Sequence, residues 1–112
     1  MIILAILINP ISSSRMIDVP TTDPNTLALN VRDIVERRCS SCHSSSPTDD
    51  VFTVAAAGLK LDTMTEVRQW ASRIKVRTVD SKDMPFMNKT GMLPEERETL
   101  GQWILAGAPL PN

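Results

Sequence analysis

The sequence is poor in aromatic residues. Among 112 residues there are two tryptophans, two phenylalanines and no tyrosine. Aromatic side chains normally bury about 150–250 Å² each, so a domain with only four of them has a thin core. A bound, largely apolar group would supply the missing contacts.

The sequence also lacks an excess of positive charge. Twelve Lys and Arg stand against thirteen Asp and Glu, for a formal net charge of -1. Proteins bind a phosphate backbone by neutralising it with cations, so we expect no nucleic-acid partner. The apolar fraction of 42% and charged fraction of 22% are typical of a soluble globular chain. The length allows one domain.

No apolar run is long enough to cross a membrane. The strongest, Ile2 to Ile8, ends at Asn9-Pro10, whereas a spanning helix needs ~20 residues. No Lys or Arg precedes it, as the start of a signal peptide would require. It is either a short export signal or a linker remaining from a longer membrane-bound chain. We therefore divide the chain into an N-terminal segment and linker, residues 1–25, and one folded domain, residues 26–112.

Three segments carry apolar residues at the spacing of one helix face, and no run alternates as a strand would. The apolar positions are Leu27, Val31, Ile34 and Val35 in the first segment, Val67, Trp70, Ala71 and Ile74 in the second, and Leu100, Trp103 and Ile104 in the third. Asn25 or Thr26 can cap the first helix, and Thr63 with Glu66 has the spacing of a capping box for the second. The pattern predicts an all-α domain.

Both cysteines and the only histidine are contiguous, in the string Cys39-Ser40-Ser41-Cys42-His43. This C-x-x-C-H pattern is typical of covalent c-type haem attachment and would arise by chance about once in several thousand such chains. The two thiols add to the two vinyl groups of the porphyrin. The next residue then lies under the metal, so His43 can bind the iron through Nε2.

Other interpretations of the same residues are weaker. The motif could instead form a Cys39–Cys42 disulfide, or two buried thiols beside a surface histidine. Against both, the full C-x-x-C-H pattern rarely occurs in proteins that bind no haem. Structural zinc needs four ligands, and the chain has only three Cys and His residues in all. A thioredoxin-like dithiol would need a βαβ unit, and the sequence predicts none.

The second axial ligand of the iron cannot be histidine, so methionine is the expected donor. Of six methionines, Met84, Met87 and Met92 lie within nine residues, just before the third helix. We choose Met84, because Pro85 restricts the residue before it to an extended backbone. Met87 and Met92 remain alternatives. Met64 is interpreted as a core residue that fills a gap.

The domain resembles class I cytochrome c from roughly Asn25 to Pro109. It is most similar to the C-terminal cytochrome c domain of bacterial membrane-bound urate oxidases. The strings that carry the narrower resemblance are Arg38-Cys39-Ser40-Ser41-Cys42-His43, Pro47-Thr48, Met84-Pro85-x-x-Asn88-x-Thr90-Gly91-Met92, Glu96-Arg97 and Trp103-Ile104-x-Ala106-Gly107-Ala108-Pro109.

The resemblance implies a small fold of three main helices around one covalently attached haem c, with the first and last helices packed together. In that family the second iron ligand is the methionine of a Met-Pro pair, and the corresponding residue in this chain is Met84. It also implies an electron carrier rather than an enzyme, located in the periplasm or facing it, and in some cases associated with the membrane. Its partner would be a redox protein such as a membrane-bound oxidoreductase or a terminal oxidase, with no small-molecule substrate at the iron.

Two alternative functions remain open. The chain could be the electron-accepting domain or a fragment of a membrane-bound urate oxidase. It could also be a haem enzyme with an open sixth site, as in peroxidases, although it has no second histidine and no Arg-His distal pair.

Several side chains near the motifs have two interpretations each. The acceptor for the second nitrogen of His43 lies near Pro47 or Gly58. Leu93 stands where many class I domains have a capping threonine, so the cap of the last helix is weaker or comes from elsewhere.

The tryptophans and the cations near the motifs have two interpretations each. Trp70 either faces a haem propionate or belongs to the core. We expect Trp103 to belong to the core. Five cations either surround the haem edge or form an ordinary solvated face, namely Arg73, Lys75, Arg77, Lys82 and Lys89.

Overall fold

The computed structural model describes residues 23–112, which form helices and no strand. The α-helices are α1 (Pro24–Arg38), α2 (Met64–Gln69), α3 (Ala71–Ile74) and α4 (Pro94–Leu105), with a π-helical segment at Lys75–Asp80 and 3-10 turns at Ala56–Gly58 and Phe86–Asn88. The all-α prediction is confirmed for this range. None of these helices is both long and apolar enough to span a bilayer. The apolar run Ile2 to Ile8 lies outside the described residues.

Helix α1 starts earlier than the sequence predicted. The side chain of Asp23 caps it, accepting a hydrogen bond of 2.8 Å from the backbone N–H of Thr26. The predicted caps, Asn25 and Thr26, are therefore wrong. Pro24 occupies the first helical position, where its fixed φ suits the helix and its missing N–H costs nothing. The helix thus begins inside the stretch assigned to the linker.

The second predicted helix is interrupted. Its capping box is confirmed: Thr63 Oγ1 accepts from the backbone N–H of Glu66 at 3.2 Å, and Glu66 Oε1 accepts from the backbone N–H of Thr63 at 3.0 Å. However, Trp70 has φ -98° and ψ 15° and separates α2 from α3, after which the chain continues as a π-helix. Apolar periodicity identified the inward face, but it does not report a local change in the hydrogen-bond ladder.

The core lies mainly between α1 and α4, as expected. Val31 and Trp103 are fully buried and Leu100 is 1% exposed. The indole N–H of Trp103 donates to the carbonyl of Pro109 at 2.8 Å, which satisfies its polar atom inside the core. Trp103 is therefore a core residue, as predicted.

Glu96 joins the start of α4 to the end of α1. It is 8% exposed and accepts hydrogen bonds of 2.9 Å from Arg37 Nη1, Arg38 Nε and the backbone N–H of Leu93. Burial alone would raise the pKa of Glu96, but the hydrogen bonds from Arg38, Leu93 and Arg37 outweigh it and lower that pKa to about 2. Glu96 thus supplies the cap that Leu93 lacks and fixes α4 next to the cysteine motif.

Candidate functional site

The cysteine motif forms one tight turn at the end of α1. The N–H of Cys39 closes the helix on the carbonyl of Val35 at 2.9 Å. The N–H groups of Cys42 and His43 then both donate to the carbonyl of Cys39, at 3.2 and 2.9 Å. This turn brings Cys39, Cys42 and His43 to the wall of the same cavity, with both cysteines as free thiols.

The irregular chain after the motif is held by the backbone of the motif itself. Three successive motif carbonyls accept hydrogen bonds from it: Ser41 O from the N–H groups of Thr48 and Asp49, Cys42 O from that of Ala56, and His43 O from that of Leu61. The loop between residues 44 and 61, whose one helical element is the 3-10 turn at Ala56–Gly58, therefore wraps around the motif.

The ring of His43 is oriented by a backbone carbonyl. Its Nδ1 lies 2.9 Å from the carbonyl oxygen of Leu59. A carbonyl can only accept, so Nδ1 carries the proton and neutral His43 has an unprotonated Nε2. The acceptor is thus the carbonyl of Leu59, the residue after Gly58, and not one near Pro47. Gly58, with φ 68°, does mark the turn, but the sequence does not reveal which carbonyl such a turn presents.

The cavity has a volume of about 250 Å³ and a mostly apolar lining. Its walls come from the end of α1, the loop after the motif, the end of α3 with the π-helical segment, the chain from Met84 to Thr90, and α4. Besides the motif and Met84, the apolar lining residues are Val35, Phe52, Ala56, Ala57, Leu59, Leu61, Ile74, Pro85, Phe86 and Leu100. Two thiols, an imidazole and a thioether therefore share one apolar space.

The three candidate methionines lie in three different environments. Met84 is half-buried and lines the cavity. Met87 is 82% exposed, and Met92 is 3% exposed within the core. Only Met84 of the three contributes to the cavity wall, and its role as iron ligand stays a prediction. Met64 packs against the core.

Two contacts join the loop after the cysteine motif to the chain from Phe86 to Lys89. The rings of Phe52 and Phe86 meet edge to face, with centroids 6.3 Å apart. Lys89 Nζ lies 2.9 Å from Asp49 Oδ1 and 2.6 Å from Asp50 Oδ1. The hydrogen bond from Lys89 is the largest cause that lowers the pKa of Asp49, followed by the backbone N–H groups of Phe52 and Val51.

Cationic side chains also line the cavity, namely Arg38, Arg73, Arg77 and Lys89. Three of the five predicted cations are thus at the site, whereas Lys75 pairs with Asp80 at 2.9 Å and Lys82 is not part of the lining. The Arg73 guanidinium stacks on the Trp70 ring, 5.7 Å from its centroid. Trp70 itself packs against the core and is not among the lining residues.

The two thiols are held in their protonated form. Burial, and then the charge of Cys42, raise the pKa of Cys39 to about 12. Burial is also the largest cause that raises the pKa of Cys42. Within residues 23–112 no group of three or more His, Cys, Asp or Glu side chains is placed to hold a metal ion.

The donor set fits an iron porphyrin. Such a group needs an apolar slot for its ring, thiols for its vinyl groups, an imidazole nitrogen for its iron and cations for its two carboxylates. Each is present on the cavity wall, and the His43–Leu59 hydrogen bond leaves Nε2 as the free imidazole donor. Comparison of the chain with protein-family models, curated proteins and solved structures finds no match.

Proposed function

We propose that this chain is a monohaem c-type cytochrome of the class I type that transfers single electrons. One observation carries the proposal: the side chains of Cys39, Cys42, His43 and Met84 all line one apolar cavity. A structural role for the motif alone would not require a methionine from a loop more than forty residues away to share that cavity.

Each of the four residues has a separate task. Cys39 and Cys42 would hold the group covalently: each S–H would add across a vinyl double bond, with the sulfur bonded to one carbon and the proton on the other. His43, through Nε2, and Met84, through its thioether, are the side chains that would bind the iron. Haem bound in this way supplies one-electron chemistry, with iron alternating between the ferric and ferrous states.

The remaining lining residues would contact the haem ring and its carboxylates. The apolar walls and the Phe52–Phe86 pair would contact the ring. Arg38 and Arg77 already pair with Glu96 and Asp83. Of the three guanidinium groups on the wall, that of Arg73 is therefore the one that would pair with a carboxylate at the cavity edge. With His43 and Met84 both bound to the iron, no position would be open to a substrate, so the proposed role is that of a carrier rather than an enzyme.

The partner of such a carrier is another redox protein. We place the chain in the periplasm or facing it, where it exchanges electrons with a membrane-bound oxidoreductase or a terminal oxidase. Electron transfer requires only brief contact near the haem edge, so a small and transient interface suffices.

The test is expression of the chain together with a haem-ligation system in a bacterial periplasm. A denaturing gel stained for haem should show a band at the size of the chain, and the reduced-minus-oxidised spectrum should be that of a six-coordinate c-type haem. The matched control, Cys39→Ser with Cys42→Ser, should lose the stained band. An unstained wild-type band in a host that matures other c-type cytochromes would overturn the proposal.

A further inference from the structure

The guanidinium of Arg97 bridges two backbone carbonyls beside the cavity. Its Nη1 lies 2.8 Å from the carbonyl oxygen of Thr78 and 2.8 Å from that of Met84. Arg97 is half-buried on α4, and Thr78 is 6% exposed at the end of the π-helical segment. A single side chain thus connects α4, the π-helical segment and the start of the segment from Met84 to Met92, which we call the methionine loop.

The bridge satisfies carbonyls that would otherwise be left without partners. Thr78 lies in the last turn of its segment, where backbone carbonyls receive no hydrogen bond from within the helix. A cation placed there also interacts favourably with the negative end of the helix. Leaving such buried carbonyls unpaired would be costly.

Met84 is therefore fixed at both of its backbone polar groups. Its N–H donates to the carbonyl of Arg77 at 2.9 Å, and its carbonyl accepts from Arg97. Arg77 and Thr78 are adjacent, so both bonds tie Met84 to one turn of the chain. Within the described residues, Arg97 is the side chain that makes this connection.

The far end of the methionine loop is held separately. Asn88 Oδ1 accepts from the N–H of Met92 at 2.9 Å, and Asn88 Nδ2 donates to the carbonyl of Met92 at 3.2 Å. The contact between Arg97 Nη2 and Asn88 Oδ1 is long, at 3.5 Å. The short bonds of Arg97 are directed at Met84 and Thr78 rather than at this end.

We propose that Arg97 is a positioning residue for the Met84 thioether, which it keeps on the cavity wall by holding the Met84 carbonyl. This inference rests on the proposed function, in which Met84 is an axial ligand. A guanidinium suits the task because its N–H donors have a fixed planar arrangement. Lysine offers donors on a flexible stem, so it should replace Arg97 only in part.

The experiment compares the haem-loaded wild-type protein with Arg97→Leu, Arg97→Lys and Arg32→Leu. Arg32 is the matched control because it is an exposed arginine on α1, remote in the chain from the methionine loop. We expect Arg97→Leu to weaken the sulfur-to-iron charge-transfer band and to raise the affinity of the ferrous protein for carbon monoxide at least about tenfold, the equivalent of one charge-assisted hydrogen bond. Arg97→Lys should lie between, and Arg32→Leu should match the wild type.

Amide hydrogen exchange on the same samples gives a readout independent of the spectrum. The backbone N–H of Met84 should exchange faster in Arg97→Leu than in the wild type, while the exchange rate of the backbone N–H of Trp103 should not change. A purely structural role would instead shift the exchange of both amides and the thermal midpoint together, without a selective loss of the band.

The outcomes separate the two proposals. A wild-type protein without the sulfur-to-iron band would overturn the proposed function and this inference with it. A wild-type band that persists unchanged in Arg97→Leu, with unchanged exchange at Met84, would overturn the role of Arg97 alone. Should Arg97→Leu fail to fold, Arg97→Lys decides by the same criteria: a weakened band supports the role, and a wild-type band with wild-type exchange overturns it.

Discussion

His43 Nδ1 and the carbonyl oxygen of Leu59 lie 2.9 Å apart, although 16 residues separate them in the chain. The bond fixes the plane of the imidazole and assigns its proton to Nδ1. A hydrogen bond of this kind raises the basicity of the other ring nitrogen and keeps a ligating histidine in position. The loop after the cysteine motif therefore contributes to the proposed iron ligand without itself binding the metal.

The three methionines of the loop should respond differently to replacement. Met84→Ala should abolish the sulfur-to-iron charge-transfer band, lower the reduction potential and open the ferrous iron to carbon monoxide. Absorption spectra and a redox titration would check these effects.

The other two methionines serve as controls for that prediction. Met87 is 82% exposed, so Met87→Ala should change neither the spectrum nor the stability. Met92 is 3% exposed in the core, so Met92→Ala should lower the free energy of unfolding by about 2–5 kcal/mol and leave the band in place. Loss of the band in Met92→Ala, with none in Met84→Ala, would contradict the ligand assignment.

The chain should unfold cooperatively only with haem attached. Trp103 is fully buried, but Phe86 is 51% exposed, and the cavity of about 250 Å³ adjoins the core. Haem would fill that space and stabilise the folded form by packing. Scanning calorimetry should show a sharp transition for the haem-loaded chain and none for Cys39→Ala with Cys42→Ala. A sharp transition in the haem-free variant would refute this account of the core.

The neighbouring carboxylates of Asp49 and Asp50 should differ in how much they stabilise the fold. Both accept from Lys89, but the side chain of Asp49 is 5% exposed and that of Asp50 is 81% exposed. Exposed ion pairs contribute little, because water screens them. Asp49→Asn should therefore lower the thermal midpoint and speed amide exchange at Phe52, whereas Asp50→Asn should change neither. Equal effects of the two substitutions would count against a specific role for Asp49.

Acid should destabilise the protein partly through Glu96. The pKa of Glu96 is about 2 in the folded chain, against an ordinary value of 4.5. The stabilisation is therefore fully present above pH 4.5 and is lost as the pH falls from 4.5 towards 2. The shift corresponds to roughly 3 kcal/mol of free energy of unfolding at most.

Two variants isolate that contribution in denaturant titrations between pH 7 and pH 2. Glu96→Gln should be less stable at neutral pH and should lose less stability on acidification than the wild type. Glu95→Gln, at an exposed position in the same helical turn, should follow the wild-type profile. An acid profile of Glu96→Gln that parallels the wild type would show that Glu96 is not the responsible group.

Local patterns in the sequence predicted those features that depend on neighbouring residues. The inward face of α1, the capping box of Thr63 with Glu66 and the core position of Trp103 each follow from spacing within one or two turns. The contiguous cysteine motif likewise predicts that Cys39, Cys42 and His43 lie together. Nothing in that motif specifies Leu59, because the carbonyl is selected by how the whole intervening loop folds.

Other features had no signal that sequence reasoning could use. The interruption at Trp70 leaves the apolar periodicity intact, so the pattern still predicts one helix. Asp23 was missed because the linker composition around Pro24 obscured a cap followed by proline at the first helical position. Arg97 belongs to one of the strings that carry the resemblance, but that string does not indicate its role, because the bridge to Thr78 and Met84 forms only when three segments come together.

The mass of the intact, denatured protein tests the central claim most directly. The chain should be expressed with a haem-ligation system, purified and analysed under denaturing conditions that remove any group not covalently bound. We predict one species, with the mass of the polypeptide plus one haem, and fragments that carry the added mass on the peptide containing Cys39 and Cys42. A mass equal to that of the bare polypeptide would contradict the account.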